Sequence, residues 1–376
     1  MSKKHKFYYS FFRPLVIVFL YIKFGYRFKK IKAPESPYIV LSNHNTDFDP
    51  LFVGVSFPKQ MYFVASEHIA RWPLAYKFLK HAFAPIIRYK GTTASSTVIE
   101  MLRAVKKGAN VCMFAEGARS WDGVTMPINP ATGKVVKKAK CGLITYKITG
   151  GYFTSPNWSQ GNTRRGPISG APVNIYTKEQ IDAMSVDEIN EIIAKDLYED
   201  AYARQMSDPK KYKGKNIAYK MENMLFKCPE CGAMDSMKSQ GDMVSCSKCG
   251  FSFKYTEYCM LEGGPFTTVK DLFAWQNEEV KKDAQKNISY TSQSAKLVTI
   301  ANHVETVVCE GSLEMNSKEI RCADIVIEIE KIQDLAMHGR RAIVFSTKDA
   351  YYELLPSEES NVLKYHLLYN EYKNQQ

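Results

Sequence analysis

Several things are scarce in this sequence, and each narrows what it encodes. Apolar runs are short: the longest uncharged one near the N-terminus is PLVIVFLYI, nine residues from Pro14 to Ile22, well below the roughly 20 that cross a bilayer. No small-residue cleavage site follows it, so a secretory signal is not expected. The cysteines form no disulfide framework. Of nine, four fall in two C-x-x-C pairs and the rest are scattered, which fits a reducing compartment. Long internal repeats and low-complexity tracts are missing too, so neither a solenoid nor a flexible tail is expected. Acidic residues are outnumbered, 39 against 51 Lys and Arg, for a formal net charge of +12. That balance favours anionic partners: a membrane surface, nucleic acid or a phosphorylated substrate.

What is present organises into several parts, as a chain of 376 residues should. Residues 1–35 are basic, aromatic and apolar. They predict an interfacial anchor, with the rings in lipid and Lys3, Lys4, Lys6, Arg13, Lys23, Arg27, Lys29, Lys30 and Lys32 near headgroups. The alternative is a first helix packed on the domain that follows. From Tyr38 to about Ile175, the runs YIVLS, MYFVAS, APIIRYK, NVCMFAEG and GLITYKITG read as strands. RWPLAYKFLKHA and STVIEMLRAVKKG read as helices among them, so the alternation predicts an α/β layered domain. Capping boxes at Thr177–Gln180 and Ser185–Glu188 follow, the second opening a charged helix to about Gln205. Residues 206–226 begin with a polar, Lys-rich stretch expected to be a linker. A cysteine module occupies 227–260 and a helical connector 261–288. From 289 to 376, short β-type runs end in a helical stretch, and this pattern resembles a PH-like β-sandwich with a terminal helix.

Chemistry concentrates in LSNHNTDFDP, Leu41 to Pro50. His44 and Asp49 alone make H-x-x-x-x-D, a pattern common by chance that decides little. Five residues apart on a straight helix lie about 140° around the axis and cannot meet. They meet if His44 ends a strand and Asp49 sits in the next turn or helix, with Asn43, Asn45 and Thr46 available as caps. A carboxylate on one imidazole nitrogen then fixes the tautomer and leaves the other nitrogen to take a proton. Downstream, an apolar strand ends in Glu116-Gly117-Ala118-Arg119. Gly117 permits a tight turn, and Arg119 offers a planar fork of donors suited to phosphate. A third cluster, FAPIIRYKG, places Arg88 and Lys90 at another strand end. Strand C-termini are where an α/β sheet binds its ligand. One base and two cationic clusters there suggest acyl or phosphoryl transfer on an anionic substrate. His68 and His81 flank helical segments, where a surface or boundary histidine is the usual case and a site-lining one the alternative; His303, His338 and His366 form no ligand spacing.

These blocks carry a resemblance. NHNTDFD resembles the N-H-x-x-x-x-D block of the 1-acylglycerol-3-phosphate (glycerolipid) acyltransferases, FAEGARS resembles that family's F-P-E-G-T-R-S block, and APIIRYKG resembles the block between them. Order and separations fit over about residues 36–175. The resemblance implies an α/β acyltransferase domain over 36–205, a mixed sheet with flanking helices. It implies that His44 deprotonates an acceptor hydroxyl while Asp49 orients His44. The alkoxide then attacks an acyl thioester of coenzyme A or acyl carrier protein, the turn at Glu116 and Gly117 holds the oxyanion, and Arg119 with Arg88 clamps the acceptor phosphate. A lysophospholipid acceptor, 1-acylglycerol-3-phosphate first among them, and a site on the cytoplasmic face of a membrane are implied with it. The chain departs from the pattern at Ala115, Ala118, Ser66 (where the family usually has Lys) and GLITYKITGG, which replaces a block with a V-P pair. Arg164 and Arg165 are the cations available to compensate. The departures also suit a non-catalytic lipid-binding scaffold on the same fold, which would not need the His44–Asp49 pair with Glu116 and Arg119.

The module KCPECGAMDSMKSQGDMVSCSKCGF holds C-x-x-C, fourteen residues and C-x-x-C, each pair followed by Gly. Two such knuckles predict a zinc ribbon with Cys228, Cys231, Cys246 and Cys249 as a closed, structural set. Basic residues are not concentrated in it, so nucleic acid is not an expected partner. Bracing the first domain against the last, or docking acyl carrier protein, is the expected role.

Overall fold

The computed structural model describes residues 2–32, 35–67, 69, 73–88, 95–301 and 304–375. Lys90, His68 and His303, named above, lie outside the described residues.

The first sheet has seven strands: β1 (Arg27–Phe28), β2 (Tyr38–Ser42), β3 (Met61–Ser66), β4 (Ile86–Arg88), β5 (Asn110–Phe114), β6 (Gly142–Thr149) and β7 (Ser169–Tyr176), in the order β1-β7-β6-β2-β5-β3-β4. β2 pairs in parallel with β5 and β6, β3 in parallel with β5 and β4, and β7 antiparallel with β6. β2 is buried on both faces, as its unbroken apolar sequence requires. Helices α1 (Lys3–Phe24), α2 (Asp49–Ser56), α3 (Pro73–Ala82), α4 (Ser95–Lys106), α5 (Ala131–Ala139), α6 (Gly151–Thr154), α7 (Lys178–Ala183), α8 (Val186–Leu197) and α9 (Ala201–Ser207) accompany it. Two apolar clusters sandwich the sheet: Leu20, Phe24, Phe52 and Phe57 on one side, Met101, Val105, Ile189 and Ile193 on the other. Both expected capping boxes form, at Thr177 and Ser185. The charged helix breaks, however, at Tyr198, and Asp200 caps its second piece through the Ala203 N–H, 2.9 Å.

The N-terminal segment differs from its nine-residue apolar run. α1 is a continuous helix of 22 residues, long and apolar enough by length and composition alone to cross a membrane. It docks on α2: the Tyr9 hydroxyl donates to the Phe57 and Gly54 carbonyls, and Arg13 donates to the Val55 carbonyl at 2.7 and 3.0 Å. Arg13 thus satisfies the carbonyl end of α2 rather than facing outward with the other basic residues. The opposite face, with Phe7, Phe11, Leu15, Val18 and Ile22, is exposed.

The expected linker is also packed. Tyr212, Ile217, Ala218, Met221, Met224, Leu225 and Phe226 are all buried. They belong to one apolar cluster that starts at Tyr152, Phe153, Trp158 and Tyr202 in the first domain and runs to Tyr372. A four-stranded antiparallel sheet follows, formed by β8 (Met237–Gln240), β9 (Met243–Cys246), β10 (Ser252–Tyr255) and β11 (Leu261–Glu262). Next come α10 (Val269–Gln285) and a seven-stranded antiparallel sheet: β12 (Tyr290–Ala301), β13 (Val304–Met315), β14 (Glu319–Cys322), β15 (Ile325–Glu328), β16 (Asp334–His338), β17 (Ala342–Ser346) and β18 (Tyr351–Pro356). Helix α11 (Leu363–Asn374) closes the chain. Buried polar groups lock these parts together. The Gln276 side chain accepts from the Phe226 and Lys227 N–H groups and donates to the Met224 carbonyl. Asp235 accepts from Lys364 and from the Asn361 N–H, 3.1 Å.

Candidate active site

Parallel pairing brings the two main sequence blocks together. The register sets Ser42 opposite Phe114, so the residues two positions beyond each strand, His44 and Glu116, emerge side by side. Glu116 then ties the loops: one carboxylate oxygen accepts the His44 N–H at 2.6 Å, the other the Met126 N–H at 2.7 Å. Burial pushes the Glu116 carboxyl up to about 8, against the pull of those two donors. Both oxygens accept backbone N–H groups, so Glu116 ties the His44 loop to the segment before Met126. Gly117 adopts φ +71°, and its N–H bonds the Phe114 carbonyl at 3.2 Å. The Gly117 N–H is thus already engaged within the turn.

Asp49 is the first residue of α2 and is fully buried. Its Oδ2 takes His44 Nδ1 at 2.8 Å, the Asn45 N–H at 2.6 Å and the Thr46 N–H at 2.9 Å; its Oδ1 takes the Thr46 hydroxyl at 2.7 Å. A helix N-terminus and four donors suit a carboxylate. The imidazole stacks on the Phe114 ring, centroids 4.5 Å apart, and stays 22% exposed. Nδ1 donates to Asp49, so Nε2 is the nitrogen left to accept a proton. Of the three small polar residues offered as caps, only Thr46 serves the turn. Asn43 pairs in both directions with the Ile148 backbone, at 2.8 and 2.9 Å, and Asn45 adds a bond to the same carbonyl.

Arg119 reaches the same place. Its Nη1 lies 3.1 Å from Asp47 Oδ2, and its Nη2 donates to Asn157 Oδ1 at 2.8 Å. Arg88 does not join it. It ends the edge strand β4 opposite Ser66, three strands from β2 and so roughly 14 Å across the sheet. Ser66 donates to the Glu67 carboxylate at 3.2 Å. Neither compensating cation is at the site. Arg164 is buried between the Trp158 and Tyr255 rings, 4.9 and 5.3 Å from their centroids, and donates to the Ile217 carbonyl. Arg165 donates to the Ile22 carbonyl near the end of α1, 3.1 Å.

Three contributors were given no role by the sequence. Asp47 faces the arginine although it stands in the quoted block, Asn157 brackets Arg119, and Arg340 arrives from the C-terminal sheet. Arg340 Nη2 lies 3.9 Å from Asp47 Oδ2, and its Nε donates to the Asn157 carbonyl. Burial, then the positive charge of Arg119, lowers its pKa to about 10 against the opposing pull of Asp47.

The four cysteines of the module converge. Their sulfurs all lie within 4.8 Å of one another, with Cys228–Cys249 and Cys231–Cys246 each at 3.8 Å. That is far from a disulfide. It is close to the edge of a tetrahedron with 2.3 Å metal–sulfur bonds, about 3.8 Å. The cluster is able to hold a metal ion.

Part of the chain is similar to known proteins. Residues 25–149 match the family model described as Acyltransferase. Two curated proteins described as 1-acyl-sn-glycerol-3-phosphate acyltransferase, from Limnanthes alba and Limnanthes douglasii, are each 25% identical over 174 residues, 45% of this chain. The match spans 58% of their length. Among solved structures, the 1-acyl-sn-glycerophosphate (LPA) acyltransferase PlsC from Thermotoga maritima aligns at 15% identity and a TM-score of 0.43, over 54% of this chain and 81% of that one.

Proposed function

We propose, for a chain whose residues 25–149 match the family model described as Acyltransferase, that it moves a fatty acyl group from a thioester of coenzyme A or acyl carrier protein to the hydroxyl of a lysophospholipid, 1-acylglycerol-3-phosphate first. The observation that carries this is the 2.8 Å contact of His44 Nδ1 with the buried Asp49, in a loop that Glu116 holds against the β5 turn. His44 Nε2 takes the acceptor's hydroxyl proton as the oxygen attacks the thioester carbonyl carbon. The tetrahedral oxyanion is held by the amides of Ala118 and Arg119. Its collapse breaks the C–S bond, and the thiolate leaves with the proton from Nε2. A scaffold that only bound lipid would not need this arrangement.

The membrane reading rests on α1. Phe7, Phe11, Leu15, Val18 and Ile22 recur at helical spacing on its exposed face, and exposed Lys3, Lys4, Lys6, Lys23, Lys29 and Lys30 surround it. The helix lies in the headgroup region of the cytoplasmic leaflet, its Tyr9–Arg13 side against the domain. The C-terminal sheet with α11 is a PH-like unit used for contacts. The cysteine cluster takes Zn²⁺ as a structural ion, because its four thiolates form a closed set at tetrahedral spacing. Buried links from Gln276 and Asp235 support a bracing role for that module.

The decisive experiment is acyl transfer from both thioester types to a panel of lysophospholipids, wild type against His44→Ala. Transfer lost in the variant is expected and identifies the acceptor. Full transfer in the variant removes His44 as the base; no transfer by either protein favours the scaffold.

A further inference from the structure

The turn between β16 and β17 carries adjacent arginines with opposite fates. Arg341 is 70% exposed and pairs with Glu358. Arg340 is only 15% exposed and crosses into the first domain. There its Nη2 and Arg119 Nη1 both turn to one oxygen, Asp47 Oδ2, at 3.9 and 3.1 Å. Neither nitrogen has a hydrogen-bond partner among the described residues. Asn157 holds both arginines, Arg119 through its side chain and Arg340 through its carbonyl. Asp47 is itself 60% exposed.

This is an unbalanced arrangement. Two like charges lie mostly buried side by side, faced by one solvent-exposed carboxylate. Repulsion and desolvation both oppose it, and a group with two negative charges and several acceptor oxygens would relieve both. A phosphomonoester is such a group. Asp47 is three residues from His44, so an anion replacing its carboxylate would bind on the loop that carries the imidazole. A hydroxyl one or two carbons from that phosphate then reaches His44.

We propose that Arg340, delivered by the C-terminal sheet, closes a two-arginine clamp with Arg119 on the phosphomonoester of the acceptor, at the position the Asp47 carboxylate takes between them. The C-terminal sheet is then part of the acceptor site, and Arg340 supplies a cation where the first domain has Ser66. This rests on the acyltransferase reading for its kinetic test but not for its binding test.

The binding test titrates the full-length protein with inorganic phosphate by calorimetry. Arg340→Gln is expected to weaken phosphate binding by roughly tenfold or more, the loss of one charge-assisted contact. Asp47→Asn is expected to strengthen it. Arg341→Gln, on the same turn, serves as the control and is expected to bind as wild type does. The kinetic test compares kcat/KM for lysophosphatidate with that for uncharged monoacylglycerol. Arg340→Gln is expected to lower this ratio by a similar factor, mainly through KM for the phosphorylated acceptor, and Arg340→Lys to restore part of it. Equal phosphate affinity in wild type and Arg340→Gln overturns the clamp. If no acceptor is acylated but the phosphate affinities separate as stated, the clamp stands and the acyltransferase reading falls.

Discussion

Asp49 accepts four hydrogen bonds while fully buried, and only one comes from His44. Its replacement therefore acts on two properties. Asp49→Asn turns one acceptor into a donor and frees the imidazole tautomer. We expect transfer to fall about a hundredfold or more, and stability by about 1–3 kcal/mol as the Asn45 and Thr46 N–H groups lose their acceptor; kinetics and denaturant melts separate the two effects. Glu116 gives a prediction in pH. Its folded carboxyl titrates near 8, above its ordinary 4.5. The folded state thus binds the proton more tightly than the unfolded chain does. The resulting stability is fully present below about 4.5 and is lost as pH rises through about 8. Melts at pH 5 and pH 8 should show this loss in wild type and a smaller one in Glu116→Gln; equal slopes would sink the assignment. At this scale the sequence made His44, Asp49, Gly117 and Arg119 legible, because short-range spacing encodes them. Glu116 was visible, but its hold on two loops was not, since spacing does not show which backbone N–H groups its oxygens accept. Arg340 was invisible, because only tertiary folding carries it to Asp47.

Elements with a strong period were legible, and those without one were not. YIVLS, NVCMF and the helix over 95–106 read directly, and the parallel pairing of β2 with β5 explains why their two loops meet. β7 was missed because Gly170 and Pro172 punctuate it like a loop. β1 has two residues and β14 four, too few to show alternation. The segment over 206–226 looked like a linker because its buried Tyr212 and Ile217 stand singly among lysines. Gly170 explains its own unusual presence in a strand. A Cβ there would meet the Tyr26 and Tyr146 hydroxyls, each at 2.2 Å, which hydrogen-bond each other at 2.9 Å. Gly170→Ala should cost about 1–3 kcal/mol from overpacking, read as a lower melting temperature. For α1, Phe11→Glu with Leu15→Glu places charge on its exposed face. Co-sedimentation with anionic vesicles should drop sharply while the melting temperature holds; unchanged sedimentation would remove α1 as the membrane contact.

Across the whole molecule, the cysteine module is a shared wall. Cys228 and Cys246 lie in the apolar cluster that joins the first domain to the C-terminal sheet. Elemental analysis should find one zinc per chain. Stripping the metal with a strong chelator should destabilise the whole chain, so that calorimetry shows the main transition shifting downward instead of a small separate one disappearing. A metal-free protein with an unchanged transition would show that the thiols need no ion.

The continuous core that begins at Tyr152, Phe153, Trp158 and Tyr202 has a consequence during synthesis. The two clusters flanking the first sheet draw only on residues up to Leu197, so they assemble while the rest of the chain is still unmade. Phe153 and Trp158 pack on rings that come later in the chain, Tyr212 and Tyr255. Until the segment through Tyr255 leaves the ribosome, those rings lack the partners that bury them. Exposed apolar surface of this kind is what makes a partly made chain prone to aggregate.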